Sequence, residues 1–189
     1  MPKKLFIICG LFLICVVGFF AFGIRYVKTH PEKITSFIEQ VTLPYKIAKL
    51  ASQEPDATIL MPVYGTKVSG ITDTWGAPRG NDRTHEGQDI FATKGTPVFS
   101  GTSGYVLYKG DVELGGNAMY IIGSGARRYY YAHLGRFADG IHIGQSVTPD
   151  TVIGYVGNTG NAETTPPHLH FGMYAHREAL NPLPLLVNR

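Results

Sequence analysis

The run TPPHLHFGMY, Thr165 to Tyr174, governs how the residues around it are read. Pro166 and Pro167 oppose a helix, because proline lacks an N–H and restricts the residue before it. Phe171 and Tyr174 favour a strand. On a strand, residues i and i+2 point to one face. His168 and His170 therefore project together, roughly 6.6 Å apart along the chain at about 3.3 Å per residue. Leu169 points the opposite way, into a core. The same texture extends upstream: ILMPV (59–63), TPVFSG (96–101), GYVLY (104–108), AMYIIG (118–123), YYYAHL (129–134) and DTVIGYVG (150–157). Short apolar runs alternate with Gly, Pro, Asn and Asp, and no long helical period interrupts them. The chain holds 23 Gly and 12 Pro, which suits many turns. The pattern predicts an all-β domain, an antiparallel β sandwich or partly open barrel, over residues 58–189.

Ahead of that domain the texture changes twice. Leu5 to Ile24 carries no charge, and as a helix it spans roughly 30 Å, the thickness of a bilayer core. Residues 1–25 are expected to be a membrane anchor. A cleaved signal segment, with Ala21-Phe22-Gly23 as its processing site, is the alternative. Residues 26–57 mix charged and apolar residues. Ile34, Phe37, Ile38 and Val41 recur at helical spacing, so a short amphipathic helix broken at Pro44 is expected in this connector.

Composition narrows the chemistry. The net charge of +3 is mild, and the basic residues form no stripe, so no nucleic-acid partner is expected. The two cysteines, Cys9 and Cys15, both lie in the apolar N-terminal run. A disulfide framework and a thiolate metal site are excluded from the β domain. Any metal there must be held by His and carboxylate.

Of the seven histidines, four fall in informative contexts. His85-Glu86-Gly87-Gln88-Asp89 resembles the helical His-Glu-x-x-His motif only superficially. Asp89 stands where the second His belongs, and Gly87 disfavours the helix. On a loop entering a strand, His85 and Asp89 can chelate one ion from a curved backbone. On YYYAHL, strand alternation puts Tyr129, Tyr131 and His133 on one face, and Tyr130 and Ala132 on the other. His85, Asp89 and one of the pair His168/His170 make a His₂–carboxylate set, the ligand composition of hydrolytic zinc sites. A metal-dependent cupin would need a Glu shortly after the second His, where Tyr174 and Ala175 stand instead.

These motifs resemble the lysostaphin-type, LytM-like zinc endopeptidases that act on bacterial peptidoglycan. His85-Glu86-Gly87-Gln88-Asp89 looks like the family's His-x-Gly-x-Asp motif, and Pro167-His168-Leu169-His170-Phe171 like its His-x-His motif. Tyr131-Ala132-His133-Leu134 is similar to its Tyr-x-His-Leu segment, and Trp75-Gly76-Ala77-Pro78-Arg79 to its usual lead-in. The resemblance covers roughly Leu60 to Pro182. It implies one zinc per chain, on His85, Asp89 and His170, with His168 and His133 beside the reacting carbonyl. It further implies hydrolysis of peptide bonds in peptidoglycan, with stem-peptide cross-links expected over glycine bridges. The enzyme would then be anchored in the inner membrane and face the periplasm, or be secreted after cleavage. A non-catalytic wall-binding module, or an activator of other wall hydrolases, is the alternative of a different class. The intact ligand set counts against it.

Overall fold

The structure, a computed structural model, describes Thr29, residues 31–80 and residues 83–189. The expected membrane segment Leu5–Ile24 lies outside the described residues. Among those described, no helix is long and apolar enough to cross a membrane. The chain divides into two compact units, residues 1–38 and 39–189, and the strands all belong to the second.

Among the described residues, thirteen strands follow one α-helix, α1 (Pro31–Ala51). They are β1 (Ile59–Leu60), β2 (Pro78–Arg79), β3 (Arg83–Thr84), β4 (Gln88–Phe91), β5 (Pro97–Phe99), β6 (Gly104–Val112) and β7 (Gly116–Ile122). After these come β8 (Arg128–Phe137), β9 (Ser146–Val147), β10 (Val152–Val156), β11 (His168–Ala175), β12 (Glu178–Leu180) and β13 (Leu186–Val187). Nine strands form one antiparallel sheet along β12-β11-β8-β7-β6-β9, with β4 joining β11 and β10 joining β5 and β8. The antiparallel β-rich class is as expected; the main sheet is branched, and β1 with β13 (parallel) and β2 with β3 (antiparallel) form two separate pairs.

The branch falls within β8. One edge of β8 pairs with β7. The other pairs with β11 over Arg128–Ala132 and with β10 over Leu134–Phe137. His133 stands between the two and has φ of 61°, a left-handed conformation uncommon outside glycine. The register shifts against β7 at this point, which makes a β-bulge, and shifts again against β10 at Gly135. The bulge overturns the simple alternation expected for YYYAHL. Tyr129 and Tyr131 are fully buried in the core, whereas His133 turns to the face that carries Tyr130 and Ala132.

Alternation is regular on the neighbouring strands. Met119 and Ile121 on β7, and Leu169, Phe171 and Met173 on β11, fill the same core as Tyr129 and Tyr131. Tyr120, Tyr130, His168, His170 and Tyr174 take the opposite face, where one-residue steps put them.

Helix α1 was expected to break at Pro44; it runs through that residue. An interior proline costs about 3 kcal/mol, so the turn beyond it needs support from elsewhere. Leu43 is buried, the Lys46 ammonium donates to the Gly144 carbonyl at 3.3 Å, and Glu39 pairs with His142. Farther on, Thr102 donates to the Asp56 carboxylate, and the Arg127 guanidinium to the Asp56 carbonyl at 3.0 Å. Tertiary contacts hold this part of the chain where local propensity alone would end it.

The His142 contact gives a pH test. Its hydrogen bond to the Gly140 carbonyl raises its pKa, burial opposes this, and Glu39 adds to the rise. A raised folded value means the stabilisation is complete below the unfolded pKa of about 6.5 and is lost as pH climbs through the folded value. The pair is partly exposed, so its worth is about 0.2–1 kcal/mol. His142→Ala should lower the melting temperature at about pH 6 and leave it near wild type at about pH 9, as thermal melts at both values would show.

Candidate metal centre

β11 lies between β4 and β8, and their register sets the site. Asp89 stands opposite His170 on one side, and Ala132 stands opposite it on the other. His85 arrives from the turn after β3. Its Nε2 is 2.8 Å from His170 Nδ1 and 3.0 Å from Asp89 Oδ1, and His170 Nδ1 is 3.2 Å from that same oxygen. His85, Asp89 and His170 are the residues whose donor atoms converge among those described, all within 4.8 Å of one another. Zinc bound at about 2.0–2.2 Å needs its nitrogen and oxygen donors within about 4 Å of each other. This N, N, O set therefore fits the ion.

The surroundings aim these donors. The Nδ1–H of His85 donates to the Thr74 carbonyl at 2.7 Å, so its Nε2 carries the free lone pair. Thr74 is pinned in turn by Gln88, whose side-chain oxygen accepts from the Thr74 N–H at 3.0 Å. The Gln88 amide donates to Asp73 at 2.6 Å and to Asn181 at 3.2 Å. The Thr74 hydroxyl accepts from the Asp89 N–H at 3.0 Å. Arg79 pairs with Oδ2 of Asp89, which leaves Oδ1 to face the histidines. Burial alone would raise the Asp89 carboxyl. The neighbouring His170 and His85 rings outweigh it and hold Asp89 well below the usual carboxylate range.

His168 and His133 complete the cluster. Their rings lie 5.0 Å apart between centroids, and His133 lies 6.0 Å from His170. His168 Nδ1 donates to the Pro166 carbonyl at 2.9 Å, and His133 Nδ1 to the Thr159 carbonyl at 2.9 Å. A carbonyl only accepts, so Nδ1 is the protonated nitrogen in both, and both turn Nε2 toward the site. Burial is the main cause that brings His133 down to about 4, against the hydrogen bond to Thr159. The groove over the cluster holds about 490 Å³, and Arg79, Arg83, Glu86, Leu114, Asn161 and Thr165 are among the residues that line it. Phe91, half-exposed on β4, stands 5.1 Å from His168 between ring centroids.

All five residues singled out in the sequence thus meet in one place. The chain's supporting residues had not been singled out. Thr74, Gln88 and Asn181 carry ordinary polar side chains without motif spacing. Arg79 stood in a recognised lead-in, but nothing local showed that it reaches Asp89.

A buried His₂–carboxylate cluster in an open groove, flanked by two further histidines with fixed tautomers, defines a metallohydrolase type of centre. Comparison with known proteins makes this specific. The profile of peptidase family M23 matches residues 83–182, over half of the chain, and the chain belongs to that family. It is 47% identical over 108 residues to an L-Ala–D-Glu endopeptidase of Bacillus subtilis, a match that covers 53% of this chain and 33% of that protein. The catalytic domain of lysostaphin from Staphylococcus simulans superimposes with a TM-score of 0.55 at 31% identity, over 62% of this chain and 92% of that domain. A zinc-containing peptidase from Vibrio cholerae does so with a TM-score of 0.58 at 26% identity, over 68% of this chain and 40% of that one. The chain spans about a third or less of the length of the curated relatives it matches.

Gly87 is fixed by space. A Cβ there would sit 2.7 Å from His170 Cε1 and 2.8 Å from the Phe171 carbonyl oxygen. Gly87→Ala must push the His170 ring or β11 away. A stability loss of about 1–3 kcal/mol is expected, with weaker metal binding. Calorimetry and zinc titration on the same protein would show both changes; an unchanged melting temperature and unchanged zinc affinity would contradict this packing.

Proposed function

We propose that the chain is a zinc-dependent endopeptidase that hydrolyses peptide bonds in peptidoglycan, with stem-peptide cross-links as its substrate. The observation that carries this reading is the convergence of His85, Asp89 and His170 beneath a groove bordered by His168 and His133. Membership of peptidase family M23 supports the reaction class. The Bacillus subtilis relative favours a second reading of the bond: L-Ala–D-Glu, inside the stem peptide itself.

Zinc on these three donors supplies a Lewis acid for the scissile carbonyl and an ionisable water at neutral pH. The protein supplies the proton traffic. His168 turns an unprotonated Nε2 into the site, so it takes the proton of the attacking water and passes it to the leaving amine. His133 holds the same tautomer. It donates from Nε2 only once protonated, so its hydrogen bond to the developing oxyanion requires a proton taken up from bulk solvent, returned when the oxyanion collapses. Arg79 keeps the far oxygen of Asp89 occupied, and the carbonyls of Thr74, Thr159 and Pro166 hold three imidazoles in orientation.

The purified full chain should carry one zinc. His170→Ala should lose most of it, because only three protein donors are available; full occupancy in that variant would refute the ligand set. His168→Ala and His133→Ala should keep zinc and melting temperature. Their cleavage rates should fall by about 10²–10⁴-fold and about 10²–10³-fold respectively. Mass analysis of digested muropeptides identifies the bond. Separated cross-linked dimers support the first reading, and stems lost from the sugar-linked L-Ala support the second.

The location is part of the same proposal. The charge-free run Leu5–Ile24 should hold the protein in the membrane fraction with its C-terminal domain accessible from outside. A soluble mature form beginning near Ile24 would establish a cleaved signal segment instead.

A further inference from the structure

The strand pair β2–β3 sets two arginines directly across from each other, Arg79 and Arg83. Residues opposite in an antiparallel pair share one face, with Cβ atoms about 4.5–5.5 Å apart. Both arginines line the groove over the metal donors, and the chain reaches the donor His85 two residues after Arg83. Their situations differ. Arg79 is committed to Asp89. Among the described residues, the exposed guanidinium of Arg83 has no hydrogen bond, ion pair or ring contact.

Like charges directly across a strand pair weaken it. Asp89 offsets Arg79, and no described group offsets Arg83. Glu86 also lines the groove, but it makes no ion pair with Arg83. Its carbonyl oxygen lies against Gly172 on β11, 3.3 Å from where a Cβ would sit. Burial raises the Tyr120 and Tyr174 phenols, and the Glu86 charge adds to the rise in both. The groove therefore holds a permanent cation beside the metal donors with its charge unmatched. A guanidinium offers a planar fork of donors that fits a carboxylate at two points.

The two bonds considered above have one chemical feature in common. In L-Ala–D-Glu, the D-Glu continues the stem through its side-chain carboxyl, so its α-carboxylate is free. That carboxylate sits on the carbon that bears the scissile nitrogen. In a cross-link to a diamino diacid, the carbon that bears the cross-link nitrogen likewise carries a free carboxylate. A glycine bridge has no such group. The charge is two bonds from the scissile nitrogen, so the cation that meets it must border the metal donors. Arg79 and Arg83 are the arginines that line the groove there, and Arg79 is occupied.

We propose that Arg83 is a specificity-determining residue that holds the free carboxylate on the leaving-amine side of the cut bond. The inference rests on the reading of the chain as a peptidoglycan peptidase and names the substrate group it selects.

The test compares matched peptides on the zinc-loaded full chain. One pair is a stem peptide with its D-Glu α-carboxyl free or amidated. The other is a cross-linked dimer with the carboxyl beside the cross-link nitrogen free or amidated. The wild type should favour the acid form of the bond it cuts by about tenfold in kcat/KM, and the pair that is cut identifies the bond. Arg83→Gln should bring that ratio close to one. Arg83→Lys, which keeps the charge without the fork, should fall between. Arg177→Gln, which removes a charge outside the groove, should keep the wild-type ratio. Melting temperatures show whether each variant folds, and Arg83→Lys decides if Arg83→Gln does not. Equal cleavage of acid and amide by the wild type overturns the proposal. So does an undiminished ratio in a folded Arg83 variant, or an equal loss in Arg177→Gln. Calorimetry on the leaving-side product, acid against amide, reads the same site without catalysis. Arg83-dependent preference for the acid in binding, with neither bond cut, would refute the proposed reaction and leave the carboxylate site standing. Cleavage with no preference in either measurement would do the reverse.

Discussion

Asp89, His170 and Ala132 stand in one cross-strand row, and the donor cluster exists only in that register. The side-chain period of a strand is two, so a slip of one residue would exchange its faces. On β11 it would expose Leu169, Phe171 and Met173 and bury His168 and His170. Each large apolar side chain gains about 1.5–3 kcal/mol from full burial, so the slipped pairing loses several kcal/mol before any polar cost is counted. The apolar half of the strand thereby locks the histidine half in place. The metal donors need no device of their own to find one another.

His133 does need one. A regular β8 would carry it with Tyr129 and Tyr131 into the core. The bulge turns it outward at the point where β8 exchanges β11 for β10 as its neighbour. A non-glycine residue with positive φ costs of order 1–3 kcal/mol and persists only where its surroundings over-determine it. Here its N–H donates to the Gly115 carbonyl at 2.8 Å and its ring to the Thr159 carbonyl. Gly157 lets the branch close, since a Cβ there would sit 2.2 Å from the Gly135 nitrogen. The irregularity that splits the sheet is the same one that brings a further imidazole to the metal donors.

The two faces of the sheet divide the work. One is apolar and closed by the core. The other grades from buried, hydrogen-bonded imidazoles around Asp89 to half-buried phenols toward β6. A buried carboxylate is costly unless paired, and Arg79 with the histidines pairs it from several directions. At the other end the rings of Tyr120 and Tyr130 stack on each other, and the Arg128 guanidinium lies over Tyr174.

Much of this was legible in the sequence. Alternation in TPPHLHFGMY showed that His168 and His170 share a face, and the motif order showed which residues would gather. Short apolar runs between turn residues gave the β class. Pro44 misled, because a local rule for helix breaking cannot register Leu43, Lys46 and Glu39 docking on the domain. YYYAHL misled as well, since a bulge is fixed by two neighbouring strands that exchange at one residue, not by the six residues themselves. Thr74, Gln88, Arg79 and the stacked tyrosines were silent for a related reason. Composition and period act between near neighbours along the chain and so can be read from it. Which carbonyl meets which imidazole, and which rings stack between strands, depends on register between segments far apart in sequence, and only the packed core selects that register.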